Sequence, residues 1–187
     1  QKAYRLAVVL LHTGMRLGEA MSLTWEQVDF DETNQLTIYR EKIAKKNPQA
    51  AVGQIGMTRQ VRAILSTIRQ EQEQGGASLY VFTGMSYARV VLARELHKFD
   101  TEQTTKMYGL CTIHSLRDTF ATTQLSLGTP LDALQVLLGH SDIRMTQKYA
   151  RRDQHDVAAK AAAVLDNLHD GPASVSDGLA NAKRASS

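Results

Sequence analysis

Apolar residues recur at helical spacing from Lys2 to Thr13, where Ala3, Leu6, Val9 and Leu10 share a face, and Gly14 supplies the stop. A second short helix is expected after Met15-Arg16-Leu17, turning Ala20, Met21 and Leu23 inward. Trp25 to Phe30 reads as a turn-like connection whose apolar residues plug the core. The period then changes. Leu36-Thr37-Ile38-Tyr39 alternates as a strand does, and Ile55 with Met57 marks a returning strand. Between them, the polar stretch from Arg40 to Ala50 is longer than a tight hairpin needs, and it carries Lys42, Lys45 and Lys46.

Thr58 is placed to cap a helix burying Val61, Leu65 and Ile68, and Gly75-Gly76 ends the polar run after it. Leu79 to Phe82 reads as a short strand or buried extended chain. Ser86 opens a helix through Val91, Leu92, Leu96 and Phe99, and Asp100 to Gly109 reads as loop. Three punctuated helices follow. One starts near Ser115, buries Leu116 and Phe120 and stops at Gly128. Another has Thr129 as N-cap, Pro130 at its first position and Leu131, Leu134, Val136 and Leu137 inside, ending at Gly139. The third follows Ser141-Asp142 and carries Ile143, Met145 and Tyr149. An Ala-rich helix is expected from Ala158 to Leu168, and residues 171–187 read as a flexible C-terminal tail. The sum is a mainly α (α+β) fold, with one domain over residues 1–170 and a small antiparallel sheet.

Composition narrows the class. A chain of 187 residues, 43% of them hydrophobic, is enough for one substantial core and too few for two comfortable domains. A formal charge of +3 is weak evidence for a polyanionic partner. Cys111 is the only cysteine, so no internal disulfide forms and a reducing cytoplasm is the natural compartment. No apolar run approaches the roughly 18–20 residues that span a bilayer, so no membrane partner is expected. The chain opens at Gln1 inside a helical pattern and reads as a fragment of a longer protein. His12, His97, His155 and His169 share no metal-site spacing and no acidic cluster suits paired magnesium ions, so neither metal nor other cofactor is expected.

The polar residues between His114 and Tyr149 make sense together as a device for holding one phosphodiester. Arginine donates two hydrogen bonds to a phosphate and stays charged, and histidine donates to the same oxygens or moves a proton. His114 and Arg117 are three apart, so both lie on the first turns of a helix that starts near Ser115, where free N–H groups attract an anion. Singly, each of these residues has an ordinary reading: a capping histidine, a surface arginine, a packed tyrosine. Their order carries the information.

His114-Ser115-Leu116-Arg117-Asp118-Thr119-Phe120-Ala121-Thr122 resembles the His-x-x-Arg motif of the tyrosine recombinases, the phage-integrase family. Leu137-Leu138-Gly139-His140-Ser141 is similar to that family's Leu-Gly-His segment, and Thr146-Gln147-Lys148-Tyr149 to its nucleophile segment. Upstream, Thr13-Gly14-Met15-Arg16-Leu17-Gly18-Glu19-Ala20 resembles the family's first arginine motif, followed by Leu23-Thr24-Trp25. Four ordered motifs covering the chain from about Leu6 to Tyr149 are far more specific than any one of them.

The resemblance implies a site-specific recombinase or integrase that cleaves and rejoins DNA without metal or ATP. Arg16 and Arg117 would clamp the scissile phosphate, His114 and His140 would complete the cradle, and Tyr149 would attack to form a 3′-phosphotyrosine. His114 is the suspected base for the Tyr149 proton. Glu19 would orient Arg16, unless it is an ordinary helix-surface glutamate. A lysine from the strand-to-strand turn would be the general acid: Lys42 is the choice, with Lys45 or Lys46 as alternatives. Lys45, Lys46, Arg144, Lys148 and Arg151 would touch the DNA backbone, which positions DNA without reading sequence. Asp118 stands where many relatives carry a histidine, and helical spacing is expected to point it away from the phosphate.

A DNA-binding domain before Gln1 is implied as well. The implied partners are double-stranded DNA at specific recombination sites and further copies of the chain, as a tetramer on DNA and possible monomer in isolation. The place of work would be the cytoplasm, on the nucleoid when bound. The rival readings are a type IB topoisomerase-like relaxing enzyme and an inactive DNA-binding relative.

Overall fold

The computed structural model describes residues 1–40, 44, 51–84, 86–102, 105–106 and 109–150. The expected helix at 158–168, the tail at 171–187, and Lys42, Lys45, Lys46 and Arg151 lie outside the described residues. Helix α1 (Lys2–Thr13) buries Leu6, Val9 and Leu10 and runs against three later helices. Gly14 ends it in the left-handed region at φ 64°, its N–H returning to the Leu10 carbonyl at 3.0 Å. Two constraints meet at this glycine, because a Cβ there would lie 2.3 Å from Cδ1 of Phe120.

Arg16 is the N-cap of the short α2 (Leu17–Met21), and a 3-10 turn over Trp25–Gln27 leads into β1 (Val28–Asp29). The connection expected at Trp25–Phe30 therefore contains a strand. Strands β2 (Gln35–Tyr39) and β3 (Val52–Gly56) complete an antiparallel sheet in the order β1-β2-β3, with Leu36 opposite Ile55 and Ile38 opposite Gly53. Val28 pairs with Leu36. Two residues are too few to show alternation, so tertiary pairing had to reveal β1.

Thr58 accepts a hydrogen bond from the Val61 N–H and starts α3 (Arg59–Gly75), which buries Val61, Leu65 and Ile68 as the pattern predicts. The 79–82 segment is extended chain: Val81 donates to the Leu23 carbonyl, and Val81 and Phe82 are buried. Helix α4 (Ser86–His97) ends short of Phe99, which is 68% exposed. There the Asp100 carboxylate binds His97 Nδ1 and the Cys111 N–H, turning the chain away.

Helix α5 (Ile113–Ser126) starts ahead of Ser115, whose hydroxyl caps it by accepting the Thr112 N–H. Helix α6 (Leu131–Leu138) has Pro130, not Thr129, at its N-cap, because the Thr129 hydroxyl donates to the Gln124 side chain instead. Val136 is also corrected: it is 70% exposed, and the buried stripe runs through Leu134 and Leu138. Helix α7 (Arg144–Ala150) begins where the Asp142 carboxylate accepts the Arg144 N–H, and it buries Thr146 and Tyr149 while Met145 faces out. The fold is mainly α with a small antiparallel sheet, as the residue pattern predicts.

Candidate active site

Arg117 ties the halves of the site together. It is 2% exposed, and its guanidinium donates from one nitrogen to the Gly14 carbonyl and from the other to the Leu138 carbonyl, both at 2.5 Å. The Gly14 turn and the end of α6 are thus fastened to one fork, while the buried Nε–H has no hydrogen-bond acceptor among the described residues. Burial, then the nearby Arg16 charge, push its pKa down to about 10, so it stays charged at neutral pH.

Glu19 organises the other cations. Its carboxylate accepts the Arg16 N–H at 2.8 Å and the Arg16 guanidinium at 2.9 Å. The same carboxylate stands 3.9 Å from Nε of Arg40. Arg40 was legible only as the start of the polar loop, yet it is 4% exposed and donates to the Leu137 carbonyl at 2.7 Å. It fits because its neighbours lack side chains: a Cβ at Gly53 or Gly139 would lie 2.1 or 2.3 Å from its guanidinium atoms. Gly139 is also the left-handed cap of α6, at φ 61°. Burial lowers the Arg40 pKa, with Glu19 opposing and Arg16 adding to the effect. A sequence signal for it did exist, since Leu36, Ile38 and Arg40 are two apart, which carries the buried face of β2 one residue past the strand's end.

His140 follows Gly139 and is buried, with Nδ1 at 2.8 Å from the Thr146 hydroxyl. Burial first, then the Arg117 and Arg16 charges, lower its pKa to about 4, so the ring is neutral at pH 7. Its plane lies 15° from that of Tyr149, with centroids 6.4 Å apart. Tyr149 is 1% exposed, and its hydroxyl donates to Oδ1 of Asp118 at 2.5 Å.

Asp118, expected by helical spacing to point away from the phosphate, thus faces the Tyr149 hydroxyl. Asp118 meets Tyr149 because α7 crosses α5 on that side, which spacing along α5 cannot reveal. Nζ of Lys148 stands 3.7 Å from the same oxygen and 4.6 Å from the Tyr149 ring centre. His114, mostly exposed, has Nε2 at 3.9 Å from it. Arg144 lies apart, exposed and paired with Asp142 at 2.7 Å. No group of His, Cys, Asp and Glu side chains suited to a metal ion occurs among the described residues.

The profile described as the phage integrase family matches residues 2–155. This chain belongs to that family. Among its relatives, tyrosine recombinase XerC of Lacticaseibacillus casei is 32% identical over 158 residues, covering 80% of this chain and 50% of XerC. The transposase from transposon Tn916 of Enterococcus faecalis is 25% identical over 181 residues, covering 84% of this chain and 44% of the transposase. This integrase-family chain thus spans about half the length of the curated relatives it matches.

Solved structures agree on the fold. The Tn1549 transposon integrase in complex with circular intermediate DNA superposes with a TM-score of 0.61 at 25% identity, over 84% of this chain and 60% of that one. The catalytic domain of bacteriophage HP1 integrase gives 0.54 at 21%, over 83% and 79%. No helix among the described residues is long and apolar enough to cross a membrane.

Proposed function

We propose that this chain is the catalytic part of a site-specific DNA recombinase, which cuts and rejoins strands through Tyr149 without metal or nucleotide. One observation carries the reading: Arg16 and Arg40 share a single carboxylate, Glu19, and the buried Arg117 lies near enough to feel the charges of all three. Surplus positive charge with little water around it is costly unless an anion completes it, and a phosphodiester is such an anion. Within one helix turn of Arg117 stands a carboxylate holding a buried phenol, the nucleophile type suited to a phosphoryl ester.

In this mechanism Arg16 and Arg117 hold the non-bridging oxygens, Arg117 with an Nε–H that has no acceptor among the described residues. Arg40 fixes the charge balance behind them and Glu19 orients Arg16. His140 is neutral, and in the tautomer whose Nδ1 accepts the Thr146 hydroxyl it offers Nε2–H as a donor, while His114 closes the cradle from the start of α5. Tyr149 attacks phosphorus and the 5′ oxygen leaves with a proton from a turn lysine, for which Lys42 is preferred over Lys45 and Lys46. The ester keeps the bond energy for rejoining, so no nucleotide is consumed. Lys45, Lys46, Lys148, Arg144 and Arg151 contact the DNA backbone.

The partners are DNA at paired recombination sites and further copies of the protein, assembled as a tetramer on DNA in the cytoplasm. A DNA-binding domain preceding this chain and a catalytic domain over 1–170 belong to the same reading. The names of the relatives, recombinases and a transposase, support exchange between sites over relaxation of supercoils.

A nicked suicide substrate tests it. Tyr149 should be trapped as a covalent DNA adduct in the presence of EDTA, and Tyr149→Phe should give none. An adduct that survives this substitution sinks the assignment. Supercoil relaxation with no exchange between paired sites would favour the topoisomerase reading. Lys42→Ala should slow cleavage of a normal substrate far more than one whose 5′-bridging atom is sulfur, and equal slowing would move the acid to Lys45 or Lys46.

A further inference from the structure

We propose that Asp118 is the proton acceptor for the Tyr149 phenol, holding its oxygen before attack and carrying its proton while the protein–DNA ester exists. This rests on the reading of Tyr149 as nucleophile. The 2.5 Å Oη–Oδ1 separation lies in the range of hydrogen bonds to a charged oxygen. Tyr149 is buried, so bulk water is a poor rival acceptor. His140 is poorly placed to take the proton, because its ring lies nearly parallel to the phenol and its Nδ1 is engaged by Thr146. His114, the base expected from the family resemblance, approaches Asp118 at 3.9 Å. That gap is too long for a hydrogen bond, so the proton stays on Asp118, whose negative charge before the transfer is offset by Lys148 at 3.7 Å.

A phenol is a far weaker acid than a carboxylic acid, so the proton does not pass to the carboxylate before reaction. The transfer runs with the attack. As the Oη–P bond forms, the phenolic oxygen loses its basicity and its proton passes to Oδ1. The P–O5′ bond breaks, and its electron pair stays on O5′, which takes a proton from the turn lysine. In rejoining, the 5′ hydroxyl returns its proton to that lysine as it attacks, and Oη leaves with the proton held by Asp118. No oxidant or further reactant is needed.

The test uses single-turnover cleavage by the intact protein. Asp118→Asn keeps the size of the side chain and can still accept a hydrogen bond, but it is a far weaker base. With Tyr149 it should slow adduct formation by about 100-fold, the scale of general base catalysis. With a fluorinated tyrosine of lower phenol pKa at position 149, the loss should shrink to less than about tenfold, because a more acidic phenol needs less help. DNA binding should not change. Equal slowing with both phenols, or no slowing, overturns the assignment and leaves Tyr149 as nucleophile.

If the unsubstituted protein forms no adduct at Tyr149, the nucleophile reading itself falls and this inference with it. Should the Asn variant not fold, the solvent deuterium isotope effect of the unsubstituted protein decides. On a 5′-bridging sulfur substrate the leaving group takes no proton, so only the Tyr149 proton is reported. A normal effect that diminishes with the fluorinated phenol is expected, and unity would overturn the proposal.

Discussion

Two hydrophobic clusters support the two halves of the site, and they are unequal. The larger gathers Leu6, Val9, Leu10, Leu23, Leu36, Ile38 and the inner faces of α3 and α4. Arg16, Glu19 and Arg40 extend from its edges, Arg40 directly continuing the face that Leu36 and Ile38 bury. The smaller comprises Phe120, Ala121, Leu134, Leu138 and Tyr149, so the proposed nucleophile is itself a core residue. Elements with fewer buried contacts open at lower cost. The difference teaches a division of labour: the charges proposed to position phosphate stand on the larger frame, and the hydroxyl proposed to attack phosphorus stands on a lighter one. Arg117 spans the boundary through the carbonyls of Gly14 and Leu138.

The strongest way to break this picture is at that span. Arg117→Lys keeps one charge but cannot reach both carbonyls with a planar fork. Cleavage is expected to fall by about 1,000-fold or more in single-turnover assays, the range for losing a principal transition-state donor. A loss under about tenfold would mean that the two halves do not depend on the link.

A paired truncation sharpens the comparison next. Leu10→Ala in the large cluster is expected to cost about 4 kcal/mol and Leu134→Ala in the small one about 2–3 kcal/mol, measured by urea unfolding, since a smaller cluster collapses more readily around a cavity. The reverse order would mean that the small cluster is the stiffer of the two.

The gentlest probe is pH. The His140 pKa is held down to about 4 in the folded chain against an ordinary 6.5. As pH falls below about 6.5 the unfolded chain takes this proton first, so folded stability declines until about pH 4 and the effect is then complete. Above about 6.5 the ring adds no slope. His140→Gln should remove this part of the acid slope, at most about 3 kcal/mol. An unchanged slope between about pH 6.5 and 4 would show that the ring is not desolvated as the geometry requires.

Much of this was legible in residues alone. Gly14 and Gly139 ended their helices as expected, the Thr58 cap and the Val61–Leu65–Ile68 stripe followed from spacing, and the His114-x-x-Arg117 and Leu138-Gly139-His140 segments pointed to phosphate chemistry. Other features were not. Thr129 is drawn off the α6 cap by Gln124, five residues earlier, and Val136 turns outward because the real stripe passes through Leu138. Periodicity gives a stripe's spacing but fixes its centre poorly in a helix of only eight residues.

The chain by itself determined where elements start and stop, which face each one buries and which residue types recur in a family order, because these depend on neighbours a few positions away. Tertiary structure alone decided who meets whom. Arg40 lies among backbone atoms of Gly53 and Gly139, and Asp118 receives the Tyr149 hydroxyl across 31 positions of chain. Such meetings depend on how one helix or strand crosses another. That crossing is set by the shape of the whole core, and no local spacing records it.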